Sequence, residues 1–253
     1  MKAFFSALST LTVLPVPHRF HQCDEKNLAA SVVYFPLVGL FVGVLLASLF
    51  YFLKAILPPL VLAAVLLFVL VMLTGGLHLD GVADLADGLG AGGAPERMLA
   101  VMKESQVGAF GVIALVLVLL LKFSLFFEII DKGRWLDFVL MTLLSRWAMA
   151  LAAFLGKYPR VAGTGLAFIG KISSAQILMA TGFTLLLSGF ILGVSGLAAM
   201  ALTALTTVSF VSFLKRKLGG MTGDGLGALN EKIEILSLFL LVVMPSFGNG
   251  GFL

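Results

Sequence analysis

Long uncharged apolar stretches most strongly limit what this chain can fold into. Residues 28–53 and 55–79 contain no Asp, Glu, Lys or Arg, and a membrane-spanning helix needs only about 20 predominantly apolar residues. Apolar residues make up 60% of the 253 residues and charged residues 12%, whereas soluble domains are about 25% charged. These features exclude a water-soluble globule and a disordered chain, and they predict a polytopic membrane protein. The single cysteine, Cys23, excludes an intrachain disulfide.

The apolar stretches predict an all-α protein with about seven transmembrane helices in a single membrane domain covering residues 1–253. The uncharged stretch from 172 to 214 is too long for one span, and Gly193-Val194-Ser195-Gly196 supplies turn residues within it. The predicted spans are about 28–53, 55–79, 107–130, 135–155, 173–193, 196–214 and 235–253. Pro15 and Pro17 interrupt the apolar N-terminus, which we expect to form a helix lying at the membrane interface.

The basic residues are divided unequally by these seven spans. One side would carry Lys2, Arg19, Lys26, Arg97, Lys103, Lys157, Arg160, Lys171, Lys215, Arg216, Lys217 and Lys232. The other side would carry only Lys54, Lys132 and Arg134. Because loops rich in Lys and Arg face the cytoplasm, we expect the N-terminal segment and the loops at 78–106, 156–171 and 215–234 to be cytoplasmic.

Three carboxylates follow the second predicted span. Asp80, Asp84 and Asp87 have the spacing i, i+4, i+7, which puts them on one face of a helix. Like charges at this spacing repel each other, and hard oxygen ligands of this kind suit Mg²⁺, which takes one or two carboxylates plus substrate phosphates. The alternative is an acidic, solvated helix end, although the apolar residues between the aspartates favour a packed helix.

A second polar cluster lies between Gly219 and Glu234. Its closely spaced glycines allow close backbone approach to a ligand, and amide groups such as those of Gly223 and Gly225 could bind phosphate. Asp224 and Glu231 add carboxylates. The segment matches neither the Walker nor the dinucleotide-binding pattern, so the alternative is a flexible connector.

Several further residues are candidates for binding phosphate or for pairing charges. Arg97 and Lys103 are plausible phosphate partners, although ordinary positive-inside anchoring explains them equally well. Arg146 falls in the middle of a predicted span, so it should pair with a buried acid or a bound anion. Lys122, also within a span, could pair with Glu128.

The three histidines do not have a metal-ligand spacing. His18, His21 and His78 are spaced unlike the ligands of known zinc sites. We expect a structural or supporting role for His78. No pattern of basic and aromatic residues indicates nucleic-acid binding.

Two motifs resemble a known family. The segment from Thr74 to Gly88 reads TGGLHLDGVADLADG and is followed by Arg97-Met98, Met102-Lys103-Glu104-Ser105, Gly108 and Gly111. Together with GGMTGDGLGALNE, residues 219–231, it resembles the bacterial cobalamin synthases, the adenosylcobinamide-GDP ribazoletransferases. The resemblance covers almost the whole chain, and Glu104 and Gln106 are mild departures from it.

The resemblance implies a reaction and a set of site residues. Adenosylcobinamide-GDP and α-ribazole, or its 5′-phosphate, would give adenosylcobalamin, or its phosphate, and GMP, in a Mg²⁺-dependent reaction at the bacterial inner membrane. Asp80, Asp84 and Asp87 would hold the metal, and Asp224 or Glu231 would complete the metal shell or accept the hydroxyl proton. The residues expected to bind phosphate are Arg97, Lys103, Ser105, Arg146, Lys171, Gly223 and Gly225.

Two other functions fit the sequence less well. A CDP-alcohol phosphotransferase also uses aspartates on membrane helices, but its pattern requires Ala-Arg soon after Asp-Gly, whereas Val82-Ala83-Asp84 follows Gly81 here. A cation transporter should carry its acidic residues at mid-bilayer, whereas these lie at a span end and in predicted loops. The preference for ribazole or its phosphate, the lower-ligand base, the number of metal ions and homo-oligomer formation are left open.

Overall fold

The computed structural model describes residues 2–17 and 25–243, and every long element in these ranges is a helix. The all-α prediction is therefore confirmed, whereas the predictions for His18, His21, Cys23 and residues 244–253 lie outside the described residues. The helices are α1 (Lys2–Leu11), α2 (Glu25–Ser31), α3 (Phe35–Leu53), α4 (Pro59–Thr74), α5 (Leu77–Ala91), α6 (Pro95–Val101), α7 (Ala109–Asp131), α8 (Leu136–Leu155), α9 (Ser174–Leu218) and α10 (Gly223–Val243).

Several of these helices are long and apolar enough to cross a membrane. Four qualify within the described residues by length and composition, or five if the bent pair α4–α5 counts as one span. They are Leu28–Leu53, Ala109–Asp131, Leu136–Leu155 and Ser174–Leu218. The chain is therefore a polytopic membrane protein, and the total of seven spans stays a prediction.

Helix α9 is two helices joined by a sharp turn. Leu192 and Gly193 have non-helical backbone angles, and Gly193 has a φ of 53°. Gly196 lies so close to the carbonyl group of Ser188 that no side chain would fit there, although these residues would be about 12 Å apart along a continuous helix. The chain therefore doubles back near residue 193, in agreement with the predicted break between two spans.

The second predicted span ends earlier than expected. α4 stops at Thr74, and α5 leaves at an angle of 84°. Gly75 and Gly76 both have positive φ values, 61° and 70°, and their amides close the last turn of α4 by bonding to Met72 and Val71. A continuous helix to residue 79 is excluded, because these glycines end α4. α5 is not among the helices that are long and apolar enough to span a membrane by themselves.

The last helix begins earlier than expected. α10 starts at Gly223 rather than at residue 235, and the Thr222 side chain caps it by accepting a hydrogen bond from the Gly225 amide at 3.0 Å. The prediction of a glycine-rich loop is therefore corrected, since most of this segment is helical.

Helix α8 is the centre of the bundle. Almost all its residues from Asp137 to Ala153 are buried, and it packs against α3, α9 and α10. α10 in turn packs against α5 and α7. Charged residues of α7, α8 and α10 therefore meet inside the protein. α1 is confirmed as a helix, and it packs against α2 and α3.

Candidate active site

Two glycines allow α5 and α10 to cross at close range. A Cβ atom on Gly81 would lie 2.6 Å from the backbone oxygen of Asp224, and one on Gly227 would lie 3.2 Å from Cα of His78. Only glycine fits such contacts without displacing backbone. The crossing brings Asp224 to the acidic face of α5, so the two motifs form one site, as the sequence predicted.

The carboxylates at this crossing repel one another. Asp84 is partly exposed, and its pKa is raised to about 6 by burial first and then by the charges of Asp80 and Asp224. The guanidinium group of Arg160 opposes this shift and forms an ion pair with Asp224 at 3.1 Å. The cluster therefore has more acidic than basic groups, which favours a bound cation.

Arg160 was missed as a site residue in the sequence. Nothing in Lys157-Tyr158-Pro159-Arg160 indicates a partner of Asp224, and the sequence places Arg160 only among the basic residues of a predicted cytoplasmic loop. The contact exists because the backbone of Lys157 accepts a hydrogen bond from the Met221 amide at 2.9 Å. A second Arg160 nitrogen donates to the Leu99 carbonyl group at 3.4 Å.

Asp87 has a different environment from Asp80 and Asp84. Its two carboxylate oxygens accept hydrogen bonds from the amides of Gly108, at 2.7 Å, and Gly111, at 2.8 Å. Amides at the start of a helix have no carbonyl partner within that helix. Asp87 supplies the missing acceptors and so caps α7 from another part of the chain. Each oxygen accepts one of these hydrogen bonds and keeps a second acceptor site, so the role of Asp87 as a metal ligand stays a prediction.

Glu231 lies in a buried ionic network instead of the acidic cluster. Lys122 contacts both Glu231, at 2.8 Å, and Glu234, and Glu234 also pairs with Arg146. The prediction of Glu231 as a metal ligand or base is therefore corrected, because α10 turns this side chain toward α7.

Arg146 pairs with a buried acid, one of its two predicted roles, and is not exposed to phosphate. The suggested Lys122–Glu128 pair was wrong, since Glu128 binds Lys132 at 3.0 Å.

His78 is joined to the same network. Its Nδ1 atom lies 3.1 Å from the side-chain nitrogen of Asn230, which also lies 3.1 Å from a Glu234 oxygen. Burial, reinforced by the charge of Arg146, lowers the pKa of His78 to about 3. The imidazole ring is therefore neutral and held in place, in agreement with the expected supporting role.

The other predicted phosphate-binding residues differ in their exposure and in the groups they contact. The exposed side chains among them are Arg97, Lys103, Ser105 and Lys171, and their roles stay predictions. The amide of Gly225 is occupied by Thr222, so it cannot also bind phosphate. Gly223 lines a cavity beside Asp80 and Asp224.

The donor set at the crossing suits Mg²⁺. Within the described residues, no three His, Cys, Asp or Glu side chains form a ready-made metal site. Mg²⁺ does not require one, because it is usually held by one or two carboxylates while substrate phosphates and water supply the other oxygens. Burial raises the pKa of Asp84 most, and repulsion by Asp80 and Asp224 adds to it; a cation between these carboxylates would relieve that repulsion.

Sequence comparison assigns the family. The profile described as cobalamin-5-phosphate synthase matches residues 3–242. The chain belongs to the cobalamin-5-phosphate synthase family. This confirms the resemblance recognised from the two motifs.

Relatives in this family match over nearly their whole length. A protein of Geotalea daltonii is 41% identical over 96% of this chain and 98% of its own. One of Syntrophobacter fumaroxidans is 41% identical over 93% and 96%, and one of Escherichia coli K12 is 36% identical over 95% and 99%. Each is named an adenosylcobinamide-GDP ribazoletransferase. No solved structure matches this chain.

Proposed function

We propose that this protein is a Mg²⁺-dependent adenosylcobinamide-GDP ribazoletransferase of the bacterial inner membrane. Family membership supports the overall transfer reaction. The observation that carries the mechanism is the convergence of Asp80, Asp84 and Asp224 at the α5–α10 crossing. The active site faces the cytoplasm in this proposal, because the predicted loops on that side hold most of the basic residues.

The proposed reaction exchanges a phosphoanhydride bond for a phosphate ester bond. A ribose hydroxyl of α-ribazole, or of its 5′-phosphate, attacks the phosphorus nearer the aminopropanol arm of adenosylcobinamide-GDP. A new P–O bond forms to the ribose, and the P–O bond to GMP breaks, so that GMP leaves with the electron pair. The hydroxyl proton passes to a base. Such transfers are catalysed mainly by positioning and charge stabilisation.

Asp80, Asp84 and Asp224 are the residues that would hold Mg²⁺. The metal would neutralise charge on the diphosphate oxygens. Asp224 would either complete this metal shell or accept the hydroxyl proton. Arg160 orients Asp224 through their ion pair, and Arg97 and Lys103 supply positive charge nearby for the phosphates.

The decisive experiment is GMP release from adenosylcobinamide-GDP by the purified, detergent-solubilised protein. We expect release only when α-ribazole or its phosphate and Mg²⁺ are both present. CDP-diacylglycerol should give no CMP under the same conditions. CMP release without GMP release would instead indicate a CDP-alcohol phosphotransferase, and ion flux in liposomes without nucleotide would indicate a transporter.

A further inference from the structure

A cavity of about 520 Å³ opens beside the acidic cluster. Its walls come from α1, α3, α8 and the segment around the short helix Thr164–Ala167. Most of the wall is apolar, with Leu11, Phe35, Met149 and Phe168 among the lining residues. Asp80, Asp224 and His78 also line it, so one ligand could contact both the apolar wall and the proposed reaction centre.

His78 presents a buried donor that has no partner. The Asn230 side-chain nitrogen donates to a Glu234 carboxylate, and this identifies the atom facing His78 Nδ1 as the amide NH₂ group. Nδ1 must therefore accept, and the proton of the neutral ring is on Nε2. This Nε2 atom is buried and has no hydrogen-bond partner in the described part of the chain, which is costly unless a ligand supplies an acceptor.

The size and chemistry of the cavity select between the two substrates. Cavities of about 300–1,000 Å³ enclose drug-sized ligands. This size excludes the corrin ring with its side chains but admits a nucleoside, either α-ribazole or the guanosine of adenosylcobinamide-GDP. Phe35 and Phe168 lie edge to face with ring centroids 6.1 Å apart. An apolar wall of this kind suits the flat benzimidazole base of α-ribazole, which has one free ring nitrogen to pair, better than guanine, whose edge carries several donors and acceptors.

We propose that this cavity is the α-ribazole site, with the base against Phe35 and Phe168, the ribose toward Asp80 and Asp224, and His78 Nε2–H donating to an acceptor atom of the nucleoside. The assignment rests on the proposed function. It places the diphosphate of the larger substrate on the open side of the acidic cluster. His78 is then a specificity-determining residue, held by Asn230 and Glu234.

The first test fills the cavity and compares the two substrates. Leu166→Trp should raise KM for α-ribazole by about 10-fold or more, a loss of about 1.4 kcal/mol, and leave KM for adenosylcobinamide-GDP within about twofold. The matched control is Val161→Trp in the same segment, where the side chain is 97% exposed, and both KM values should be unchanged. An increase confined to KM for adenosylcobinamide-GDP would overturn the assignment while leaving the proposed function intact.

The second test examines the Nε2–H donor of His78. It stays informative even where the Leu166→Trp variant does not fold. Equilibrium dialysis of wild-type protein with labelled α-ribazole, in EDTA and without the second substrate, should show saturable binding. His78→Phe should weaken that binding by about 10-fold, and His78→Asn, which keeps an N–H donor, should retain more of it. Equal binding by wild type and both variants would overturn the role of His78. Absence of wild-type GMP release would instead contradict the proposed function itself.

Discussion

Gly81 of α5 lies directly against the backbone of Asp224 at the start of α10, and this contact joins the two motifs into one site. A Cβ atom at Gly81 would lie 2.6 Å from the carbonyl oxygen of Asp224. The obstructing atom belongs to the backbone and cannot rotate away. The distance between the two groups of carboxylates therefore depends on the absence of a side chain at residue 81.

Gly81→Ala should lower GMP release by about 100-fold, because misplacing catalytic groups by about 1 Å can cost that much. Gly182→Ala in α9 is the matched control, since no atom lies within 4 Å of its added Cβ. We expect normal turnover from that control. Near-normal turnover by Gly81→Ala would show that the close crossing is unnecessary for catalysis.

Asp84→Asn should lower turnover by more than about 100-fold, since even supporting residues of metal sites typically contribute 10–100-fold.

Asp84→Asn should also raise the thermal unfolding temperature at pH 7.5 in EDTA. The pKa of Asp84 is raised from 3.8 to about 6 in the folded protein. The folded state thus binds this proton more tightly, and it loses stability relative to the unfolded state as pH rises from about 4 through 6. The neutral amide removes that penalty above pH 6.

Mg²⁺ provides the corresponding control for Asp84. Added Mg²⁺ should raise the unfolding temperature of the wild-type protein more than that of Asp84→Asn. Glu104→Gln, at an exposed position outside the acidic cluster, should behave like wild type in both assays. An Asp84→Asn variant with wild-type turnover would remove Asp84 from the proposed metal site.

Arg160→Ala should lower kcat by about 10–100-fold, because it releases Asp224 from its ion pair and resembles the loss of a supporting residue in a metal site. Arg160→Lys should recover only part of this activity, since lysine cannot bond to both Asp224 and the Leu99 carbonyl group as Arg160 does. Lys157→Ala is the control, with an exposed side chain. Equal losses in both alanine variants would indicate a general effect of positive charge.

Glu234→Gln should destabilise the fold, because Arg146 would lose its ion-pair partner and Lys122 would keep only Glu231 in the buried network. Breaking a buried ion pair costs about 3–5 kcal/mol, which should appear as a lower unfolding temperature in detergent. Adding Arg146→Met to Glu234→Gln should restore part of the loss by removing an unpaired charge. No recovery in the double variant would contradict the pairing of Arg146 with Glu234.

The sequence by itself determined the helical membrane fold and the face on which Asp80 and Asp84 lie. Both features are local, since apolar length predicts a span and the helical repeat brings residues four apart to the same side. The break in α9 was also predictable from Gly193 and Gly196. The family could be recognised because its motifs are continuous in sequence.

Tertiary structure decided which charged groups pair and which stay available for a ligand. Lys122 and Glu231 are 109 residues apart, and no local periodicity relates them. Asp87 satisfies amides of α7, and Arg160 reaches Asp224, only because separate segments pack together. Side chains of the same chemical type thus acquired different functions, because burial demands a partner for every charge and the helix crossings determine which partner is within reach.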